Sequence, residues 1–449
     1  MGLTGIQIFK LLPKTNCKEC GVPTCLAFAM NLAGGKAELS ACPYVSEEAK
    51  AALSEASAPP IRPVQIGVGS DAFKTGGELV LFRHEKTFFN PTGFALRISD
   101  NDSAEEVDRK LKIFVDNMYD RVGLILKADL FALKAESGSA DTYGALVKKV
   151  RAASDAGLIL WSDDPDMIKA GLAERGDSKV LIYGANKGNL DAMIALAKEH
   201  AAGLVVMGNG LDEIKDLSEL AAKAECKDVV FDTGARTAGD QLRDQTAIRR
   251  LALTAKDRTF GFPTIVPVCD MAETPAKEAV IAAAGIAKYA GIVILSDFRG
   301  EYLFPLLLER LNIYTDPQRP MKTDEGFYAL NGATADSPVV VTSNFSLTYF
   351  IVSGEIENSR FPCWLFVKDT DGLSVLTAWA AGKFVGDAIG EAMKKQGCND
   401  KVKNKKIVIP GLAAIISGDL EEELGSDWEV MIGPREASFI PAYLKQNFA

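Results

Sequence analysis

Short apolar runs recur through the middle of the chain and alternate with longer amphipathic stretches. Eight of these runs have the length of a strand: Leu79–Phe82, Val122–Leu126, Leu158–Trp161, Val180–Tyr183, Leu204–Met207, Asp228–Phe231, Thr264–Val268 and Ile292–Leu295. Apolar runs bounded by turn residues are typical of parallel strands buried on both faces. The stretches with helical periodicity include Ala104–Met118, Asp141–Ala156, Leu190–His200, Leu211–Ala224, Gln241–Ala255 and Ala276–Tyr289. Eight βα units in about 250 residues predict a TIM barrel, and a doubly wound open sheet is the alternative.

The last third of the chain has a different pattern, which predicts a small α/β sandwich. The predicted strands are Val339–Thr342, Tyr349–Val352, Trp364–Val367, Ile407–Ile409 and Glu429–Ile432. The predicted helices are Ser374–Lys383, Val385–Gln396 and Gly418–Leu424. Its strand-end loops are rich in Thr, Ser and Gly, residues that suit either a ligand site in an open sheet or ordinary turns.

In a barrel, functional residues lie on the loops that follow the strands. Those loops contain Asn186, Asn209, Asp232, Asp270 and Asp297. No acid–base pair stands out among them. Capping of the next helix is the simpler interpretation for each, because Asp and Asn are preferred at that position.

The segment EASAPPIRP, residues 55–63, contains three prolines and predicts a stiff connector. It separates a small N-terminal module from the barrel. The predicted domains are therefore residues 1–57, 58–322 and 323–449. The first is too small for apolar burial alone to stabilise it, so bound metal is expected to contribute.

Four of the eight cysteines lie near the N-terminus, as Cys17, Cys20, Cys25 and Cys42, with the spacing C-x2-C-x4-C-x16-C. Three thiolates so close in sequence, with a fourth returned by a short loop, can ligate one [4Fe–4S] cluster. An apolar stretch begins at Cys25 and predicts a helix, whose N-terminus favours a thiolate. A structural zinc site is the alternative, which the uneven spacing disfavours.

Composition excludes several classes of function. The net charge of −10 argues against binding to nucleic acid or to an anionic membrane. We see no signal-peptide pattern and no apolar run long enough to cross a bilayer. The four remaining cysteines are scattered singly, as expected in a reducing compartment. These observations predict a cytoplasmic protein.

Four motifs together resemble the large (gamma) subunit of the corrinoid iron–sulfur proteins of the reductive acetyl-CoA (Wood–Ljungdahl) pathway, also known as the gamma subunit of the acetyl-CoA decarbonylase/synthase complex. They are LLPKTNCKECGVPTCLAFAMNLAGGK with ACPY, VTSNFSLTYF, TDGLSVLTAWAAGKF and VIPGLAAIISGDLEEE. The resemblance spans the chain. It implies a [4Fe–4S] module, a central TIM (β/α)8 barrel and a C-terminal Rossmann-like α/β domain that binds a corrinoid.

The resemblance also implies a function in methyl transfer. The cob(I)amide accepts a methyl group from methyltetrahydrofolate through a methyltransferase and passes it to acetyl-CoA synthase, while the cluster reduces inactive Co(II). The implied partners are a small subunit in a heterodimer, the methyltetrahydrofolate methyltransferase, CO dehydrogenase/acetyl-CoA synthase and a reductive activator. The implied corrinoid contacts are Thr342, Thr348, Thr370, Asp371, Gly372, Leu373, Ser374, Ala378 and Gly433. Of these, Ser374 is implied to lie nearest the lower face of the cobalt.

The histidines bear on how the cobalt would be ligated. Many corrinoid proteins supply a lower imidazole from a D-x-H-x-x-G motif, and neither His84 nor His200 lies in one. No histidine occurs in residues 323–449. We therefore expect a base-off corrinoid without a protein imidazole, which would ease reduction to Co(I). Two alternatives remain: a pterin-dependent barrel methyltransferase with an electron-transfer Fe–S appendage, and a non-catalytic scaffold with a structural metal site.

Overall fold

A computed structural model describes residues 5–33, 37, 39–46, 49–50, 53, 59–69, 72–121, 124–316 and 321–448. Residues 55–58 of the connector lie outside this part. The chain forms two compact units. The first contains Met1–Leu81, Phe88–Asn117 and Ala128–Ile313, and the second contains Phe82–Thr87, Met118–Lys127 and Tyr314–Ala449.

The secondary structure alternates between strands and helices. The strands are β1 (Val64–Ile66), β2 (Phe73–Thr75), β3 (Gly93–Ser99), β4 (Tyr119–Arg121), β5 (Leu124–Leu126), β6 (Leu130–Lys134), β7 (Gly157–Trp161), β8 (Leu181–Ala185), β9 (Gly203–Met207), β10 (Val229–Asp232), β11 (Ile265–Pro267), β12 (Ile292–Leu295), β13 (Gly326–Leu330), β14 (Val339–Ser343), β15 (Cys363–Lys368), β16 (Lys406–Ile409) and β17 (Glu429–Ile432). The helices are α1 (Gly5–Leu11), α2 (Cys25–Ala33), α3 (Ala104–Asp116), α4 (Ala140–Ala153), α5 (Pro165–Ala173), α6 (Leu190–Glu199), α7 (Leu211–Lys223), α8 (Ala238–Leu253), α9 (Pro275–Ala287), α10 (Gly300–Tyr314), α11 (Ser346–Ser359), α12 (Val375–Ala380), α13 (Gly386–Lys395), α14 (Cys398–Lys401), α15 (Ser417–Leu424) and α16 (Ile440–Phe448).

Eight parallel strands form a TIM-like barrel in the first unit, which confirms the predicted fold. Their order is β10-β9-β8-β7-β6-β3-β12-β11. A parallel bridge between Phe231 and Thr264 joins the two ends of this sheet, and the N–H of Phe231 donates to the carbonyl of Pro263 at 2.9 Å. The barrel is filled by buried side chains such as Ile159 and Leu181.

Side chains at the helix starts explain why several barrel helices begin where they do. An oxygen in the side chain of the preceding residue accepts a hydrogen bond from a backbone N–H in the first turn, which satisfies a donor that the helix leaves free. The residues that do this are Ser103, Ser139, Asp164, Thr237 and Thr274.

The first two predicted barrel strands are wrong, whereas the other six are confirmed to within a residue or two. Leu79–Phe82 forms no strand, and the first barrel strand is instead β3, in which Arg97 interrupts the apolar run. Residues 122 and 123 lie outside the described part. The rest of Val122–Leu126 forms β5, which pairs with β4 as an antiparallel hairpin in the second unit, and the second barrel strand is β6. Short apolar runs cannot be assigned by periodicity alone.

The second unit contains a five-stranded sheet in the order β13-β15-β14-β16-β17. The antiparallel edge strand β13 was not predicted, and the other four strands are parallel. The predicted strand Tyr349–Val352 is wrong, because it lies within α11. Neighbouring parallel strands such as β14 and β15 need a crossover of a dozen or more residues, and α11 supplies it.

The N-terminal module consists of α1, α2 and a short 3-10 helix at Leu39–Ala41 around its own small apolar core. Within the described residues, no helix has both the length and the apolar character needed for a bilayer crossing.

Candidate functional site

The cysteine-bearing loop of the N-terminal module is sharply bent. Lys14, Asn16 and Lys18 have φ values of 59°, 51° and 67°, in the left-handed region that residues other than glycine seldom adopt. Asn16 joins the loop to α2, since the N–H of Cys25 donates to its Oδ1 at 2.7 Å and its own N–H points at the Cys25 sulfur, 3.4 Å away. As predicted, the helix begins at Cys25.

The four predicted ligands share one small region. Cys25 and Cys42 are buried in the same apolar core, and Cys20 packs against it. Cys17 and Cys42 lie near the Tyr44 hydroxyl, whose pKa is raised first by its hydrogen bond to Glu19 and also by these two sulfurs. In the described part of the chain, no three or more Cys, His, Asp or Glu side chains converge closely enough to hold a metal ion as they stand. Four thiols around one bent loop nevertheless match the donor set of an iron–sulfur cluster.

The second candidate site is an open cavity of about 190 Å³ in the second unit. It lies at the carboxyl ends of β14 and β16, where the parallel strands reverse their order, as expected for a ligand site in an open α/β sheet. The lining residues are Val340, Val341, Thr342, Thr348, Ile351, Val352, Val375, Val408, Ile409, Pro410, Leu412, Gly433, Pro434, Arg435, Ala437, Ile440, Tyr443 and Leu444.

Three of the nine predicted corrinoid contacts line this cavity: Thr342, Thr348 and Gly433. The N–H of Gly433 donates to the carbonyl of Ile409 at 2.9 Å, and a Cβ at this position would lie only 3.0 Å from that oxygen. Any residue other than glycine at this position of the cavity wall would therefore require its neighbours to shift.

The end of β14 carries buried hydroxyl groups without partners. Among the described residues, the side-chain oxygens of Thr342, Ser343 and Ser346 find no hydrogen-bond partner, although these three residues are only 1%, 0% and 5% exposed. A buried polar group without a partner costs roughly 1–3 kcal/mol. Their concentration at the carboxyl edge of the central strand is a physical indication of a ligand that supplies the missing partners.

Asn344 organises the neighbouring loop after β15. Its Oδ1 accepts hydrogen bonds from the N–H groups of Thr370 and Gly372 at 2.9 and 3.0 Å, and its amide donates to Asp369 at 2.7 Å. The Thr370 hydroxyl lies 2.9 Å from the same Oδ1. We did not predict Asn344 as a site residue, although a buried asparagine at a strand end was a possible signal.

The remaining predicted contacts lie on this loop or behind it. Asp371, with φ of 56°, is exposed, and its ion pair with Lys383 lowers its pKa. Leu373 packs partly against the core of the unit. The Ser374 hydroxyl lies 3.0 Å from that of Thr377, immediately before α12. Ala378 is fully buried in the core, where its backbone N–H donates to the carbonyl of Ser374.

Large apolar side chains stand exposed on the elements that follow these strands. Leu347 follows β14, Leu376 and Trp379 follow β15, and Leu412 and Ile415 follow β16. Five exposed apolar residues at one sheet edge form a larger apolar surface than scattered single residues do. This edge therefore suits a ligand with a broad apolar face.

At the mouth of the barrel, polar residues pair mainly with one another. Buried Asp232 accepts hydrogen bonds from the Tyr183 hydroxyl, from both terminal nitrogens of Arg236 and from the N–H of Gly234. Burial and this carboxylate hold the pKa of Tyr183 well above its usual range. Asp270 lies 3.6 Å from both Arg97 and Lys134.

The other strand-end residues of the barrel mainly shape turns and ion pairs. Asn186 accepts a hydrogen bond from the N–H of Gly188, and Asn209 donates its own N–H to Glu213. Asp297 pairs with Arg109.

The two histidines lie in different places. His200 follows the end of α6, as predicted from its sequence position. His84 follows Leu79–Phe82, the first predicted barrel strand, which forms no strand. It belongs to the second unit, where its ring stacks on Phe82 at 5.6 Å. Neither histidine is among the residues that line the described cavity.

Comparison with known proteins gives matches over the whole chain. The family model described as "CO dehydrogenase/acetyl-CoA synthase delta subunit" matches residues 63–444, and one described as "Putative Fe-S cluster" matches residues 12–44. The chain is 46% identical over 449 residues to the corrinoid/iron-sulfur protein large subunit of Moorella thermoacetica, covering 100% of both proteins. It is 33% identical over 455 residues to the acetyl-CoA decarbonylase/synthase complex subunit gamma of Methanothermobacter thermautotrophicus, covering 99% of each.

A solved structure of 7,8-dihydropteroate synthase from Vibrio fischeri is 12% identical, with a TM-score of 0.38, and covers 51% of this chain and 95% of that chain. The family model is named for a delta subunit, but both full-length relatives are large or gamma subunits, and the match at residues 12–44 lies outside the region that the delta-subunit model covers.

Proposed function

Because the chain belongs to the family of corrinoid/iron-sulfur protein large subunits and acetyl-CoA decarbonylase/synthase gamma subunits, we propose that it carries methyl groups on a corrinoid. The full-length match to these relatives carries the proposal. In this proposal the corrinoid supplies a cobalt centre that accepts and releases a methyl group, and the chain acts as the methyltransferase component that holds it. Of the three predicted domains, the first would hold the cluster, the second would form the barrel and the third would bind the corrinoid.

The carboxyl edge of the five-stranded sheet would hold the corrinoid. The exposed apolar residues at this edge suit one face of a macrocycle. The hydroxyls of Thr342, Ser343 and Ser346 lack partners in the part of the chain that the structure describes, and they can hydrogen-bond to amide side chains of the cofactor. Asn344 holds the loop from Thr370 to Ser374 in place, so that Ser374 can face the cobalt.

The cavity of about 190 Å³ would take the nucleotide base of the corrinoid. An apolar cavity of about 150 Å³ is large enough to bind benzene, so this one has room for a small ring system. Its walls are mostly aliphatic, from Ile351, Val352, Leu412 and Leu444, and Arg435 adds a cation at the rim. A base held here would be displaced from the cobalt, which is the base-off state expected from the sequence.

No imidazole is expected to replace that base. Neither histidine lines the cavity, and the ring of His84 is stacked on Phe82. Without a nitrogen donor below the metal, the reduced cobalt is favoured, because axial ligands strongly affect the potential of a bound metal.

The N-terminal module would hold a [4Fe–4S] cluster on Cys17, Cys20, Cys25 and Cys42. The N–H of Asn16, 3.4 Å from the Cys25 sulfur, is a donor of the kind that tunes the potential of such clusters. We propose that the cluster supplies the single electron that restores oxidised cobalt, rather than taking part in every methyl transfer.

The proposed partners are those of the family: a small subunit in a heterodimer, the methyltetrahydrofolate methyltransferase, CO dehydrogenase/acetyl-CoA synthase and a reductive activator. The name of the methanogen relative, a subunit of a complex, supports the need for partners. These partners would act in the cytoplasm.

The decisive experiment is an anaerobic assay for iron and cobalt, with an absorption spectrum, on the full chain and on Cys20→Ala. We expect four iron atoms and one cobalt per wild-type chain, together with corrinoid bands. The Cys20→Ala variant should lose iron but keep cobalt, since the two groups bind in separate places.

Cys226→Ala, a cysteine change in the barrel, is the control and should keep both metals. Wild-type protein without a corrinoid would refute the proposed function. Loss of cobalt from folded Cys20→Ala would instead refute the separation of the two sites.

Electron paramagnetic resonance of the Co(II) form tests the base-off assignment. We expect a signal without strong nitrogen splitting, both in the wild type and in His84→Ala. A nitrogen triplet that disappears in His84→Ala would identify that imidazole as a ligand and would overturn the assignment.

A further inference from the structure

The β4–β5 hairpin lies between two barrel elements in sequence but belongs to the other unit in space. It connects α3 to β6, and residues Met118–Lys127 cluster with the five-stranded sheet. Neither strand pairs with that sheet or with the barrel, because β4 and β5 pair only with each other among the described strands. Side-chain contacts therefore have to account for the position of the hairpin.

One residue of β4 contacts α11, and the residue before it lies near the same helix. The guanidinium of Arg121 lies over the ring of Phe350, 4.2 Å from its centroid. The pKa of Tyr349 is raised first by burial and then by the charges of Glu357 and Asp120, so Asp120 lies near this hydroxyl.

The two aromatic residues of α11 belong to a row of neighbouring rings that extends to the sheet. The ring of Tyr349 lies 5.9 Å from that of Phe350 and 5.4 Å from that of Tyr328 on β13. Phe350 therefore contacts the hairpin through Arg121 and the ring of Tyr349, which in turn contacts the sheet at Tyr328.

The helix that the hairpin contacts forms one wall of the cavity. Thr348, Ile351 and Val352 line it, so they flank Phe350 along the chain. A shift of Phe350 therefore moves these three side chains, since neighbouring residues of a helix move together. Tyr349 and Val352 pack against the core of this unit, whereas Leu347 and Ile351 are exposed on the face of α11 that also carries Phe350, so on this face Arg121 supplies a contact that the core does not.

We propose that Arg121, acting through Phe350, is a positioning residue that holds α11 in the conformation that binds the cofactor. The proposal rests on the proposed function, in which the cavity takes part of a corrinoid. The cationic guanidinium of Arg121 is attracted to the face of the Phe350 ring. Because the guanidinium is planar and can stack on the ring, it restricts the orientation of the ring more than an apolar contact would. The hairpin thereby belongs to the cofactor site although it contributes no lining residue.

The test measures corrinoid affinity of the full-length chain after replacement of Arg121. The Arg121→Ala variant should release the corrinoid about fivefold more readily than the wild type, which corresponds to the loss of one cation–ring contact. The Arg121→Lys variant should recover part of this loss, because it keeps a cation over the ring. Thermal unfolding of the corrinoid-free proteins is measured alongside.

Lys401→Ala is the matched control. Lys401 of α14 also lies over a ring of the second unit, 5.3 Å from the centroid of Phe327 on β13, and neither of these two elements lines the cavity. Its removal should leave corrinoid affinity unchanged at a comparable unfolding temperature. Equal affinity of Arg121→Ala and the wild type, or equal losses in Arg121→Ala and Lys401→Ala, would overturn the proposal.

If Arg121→Ala does not fold, Phe350→Leu removes the same contact from the helix side and should show the same loss. A wild-type protein that binds no corrinoid would instead indicate failure of the proposed function.

Discussion

The barrel and the five-stranded sheet both place polar residues at the carboxyl ends of parallel strands, but they satisfy these residues differently. At the end of β10, Asp232 accepts hydrogen bonds from Tyr183, Arg236 and Gly234. At the end of β14, the hydroxyl of Thr342 has no hydrogen-bond partner among the described residues. The carboxylate of Asp232 thus has its partners in the protein, whereas the hydroxyl of Thr342 has a partner only if a ligand supplies it, as proposed above. Residue type alone did not distinguish these two strand ends, and the hydrogen bonds did.

The largest expected effect is on the barrel. Asp232→Asn removes the buried negative charge that accepts hydrogen bonds from Arg236 and from the Tyr183 hydroxyl. We expect a loss of about 2–3 kcal/mol in stability, because hydrogen bonds to a charged group are strong, although Arg236 is partly exposed and can still be hydrated. The measurement is chemical unfolding of the full chain, monitored with a probe placed in the barrel.

Asp240→Asn is the control for this charge change. Asp240 pairs with Arg243 at 2.7 Å on the solvent side of α8, so its replacement should cost less than about 1 kcal/mol. The comparison between the two units would fail if Asp232→Asn left stability unchanged and lowered corrinoid content instead, since Asp232 would then serve a ligand.

An intermediate effect is expected from the same substitution at two threonines, Thr342 at the end of β14 and Thr370 in the loop that follows the neighbouring strand β15. The hydroxyl of Thr370 lies 2.8 Å from the carbonyl of Leu373, so Thr370→Val should destabilise the corrinoid-free protein by roughly 1–2 kcal/mol. Thr342→Val removes a hydroxyl without a partner and should leave the corrinoid-free protein equally stable or more stable. It should nevertheless weaken corrinoid binding, by about fivefold to tenfold for one lost hydrogen bond.

Thermal unfolding without corrinoid and binding measurements with it separate the two variants. Equal destabilisation by both changes would contradict the distinction between satisfied and unsatisfied hydroxyls. Unchanged corrinoid affinity in Thr342→Val would show that this hydroxyl does not contact the cofactor.

The smallest expected effect concerns pH. Burial of Asp369 acts to raise its pKa, but hydrogen bonds from the Asp371 N–H and the Asn344 amide, with the charge of Lys322, outweigh it and lower the pKa. The ionised carboxylate therefore stabilises the folded loop above the unfolded pKa, near 4, and this contribution is lost as the pH falls through the lower folded value. Because Asp369 is partly exposed, we expect less than about 1 kcal/mol.

Hydrogen exchange of the Thr370 and Gly372 amides between about pH 3 and 6 measures this effect. Protection should fall at the acidic end in the wild type. In Asp369→Asn the fall should be absent, because no carboxyl group titrates there. The same pH dependence in both proteins would exclude Asp369 as its source.

Local pattern predicted much of the fold. Apolar runs and capping residues predicted six of the barrel strands, the four parallel strands of the second unit and the helix that begins at Cys25. These signals, like the cysteine spacing, act over only a few residues. The predictions failed at β3, where Arg97 turns towards Asp270, and at Tyr349–Val352, where an apolar stretch lies in a helix. In both cases the conformation depends on partners distant in the chain.

From the residues alone we predicted a cysteine module, a barrel and a smaller α/β domain, because each has a periodicity or spacing that short-range physics imposes. The structure was needed to find the cavity between β14 and β16, the three hydroxyls without partners and the attachment of the β4–β5 hairpin to the second unit. Whether a buried polar group has a hydrogen-bond partner depends on residues far away in the sequence, as in the pairs Asn344–Thr370 and Tyr183–Asp232. Such pairs come together only when the chain has folded, so no local pattern records them.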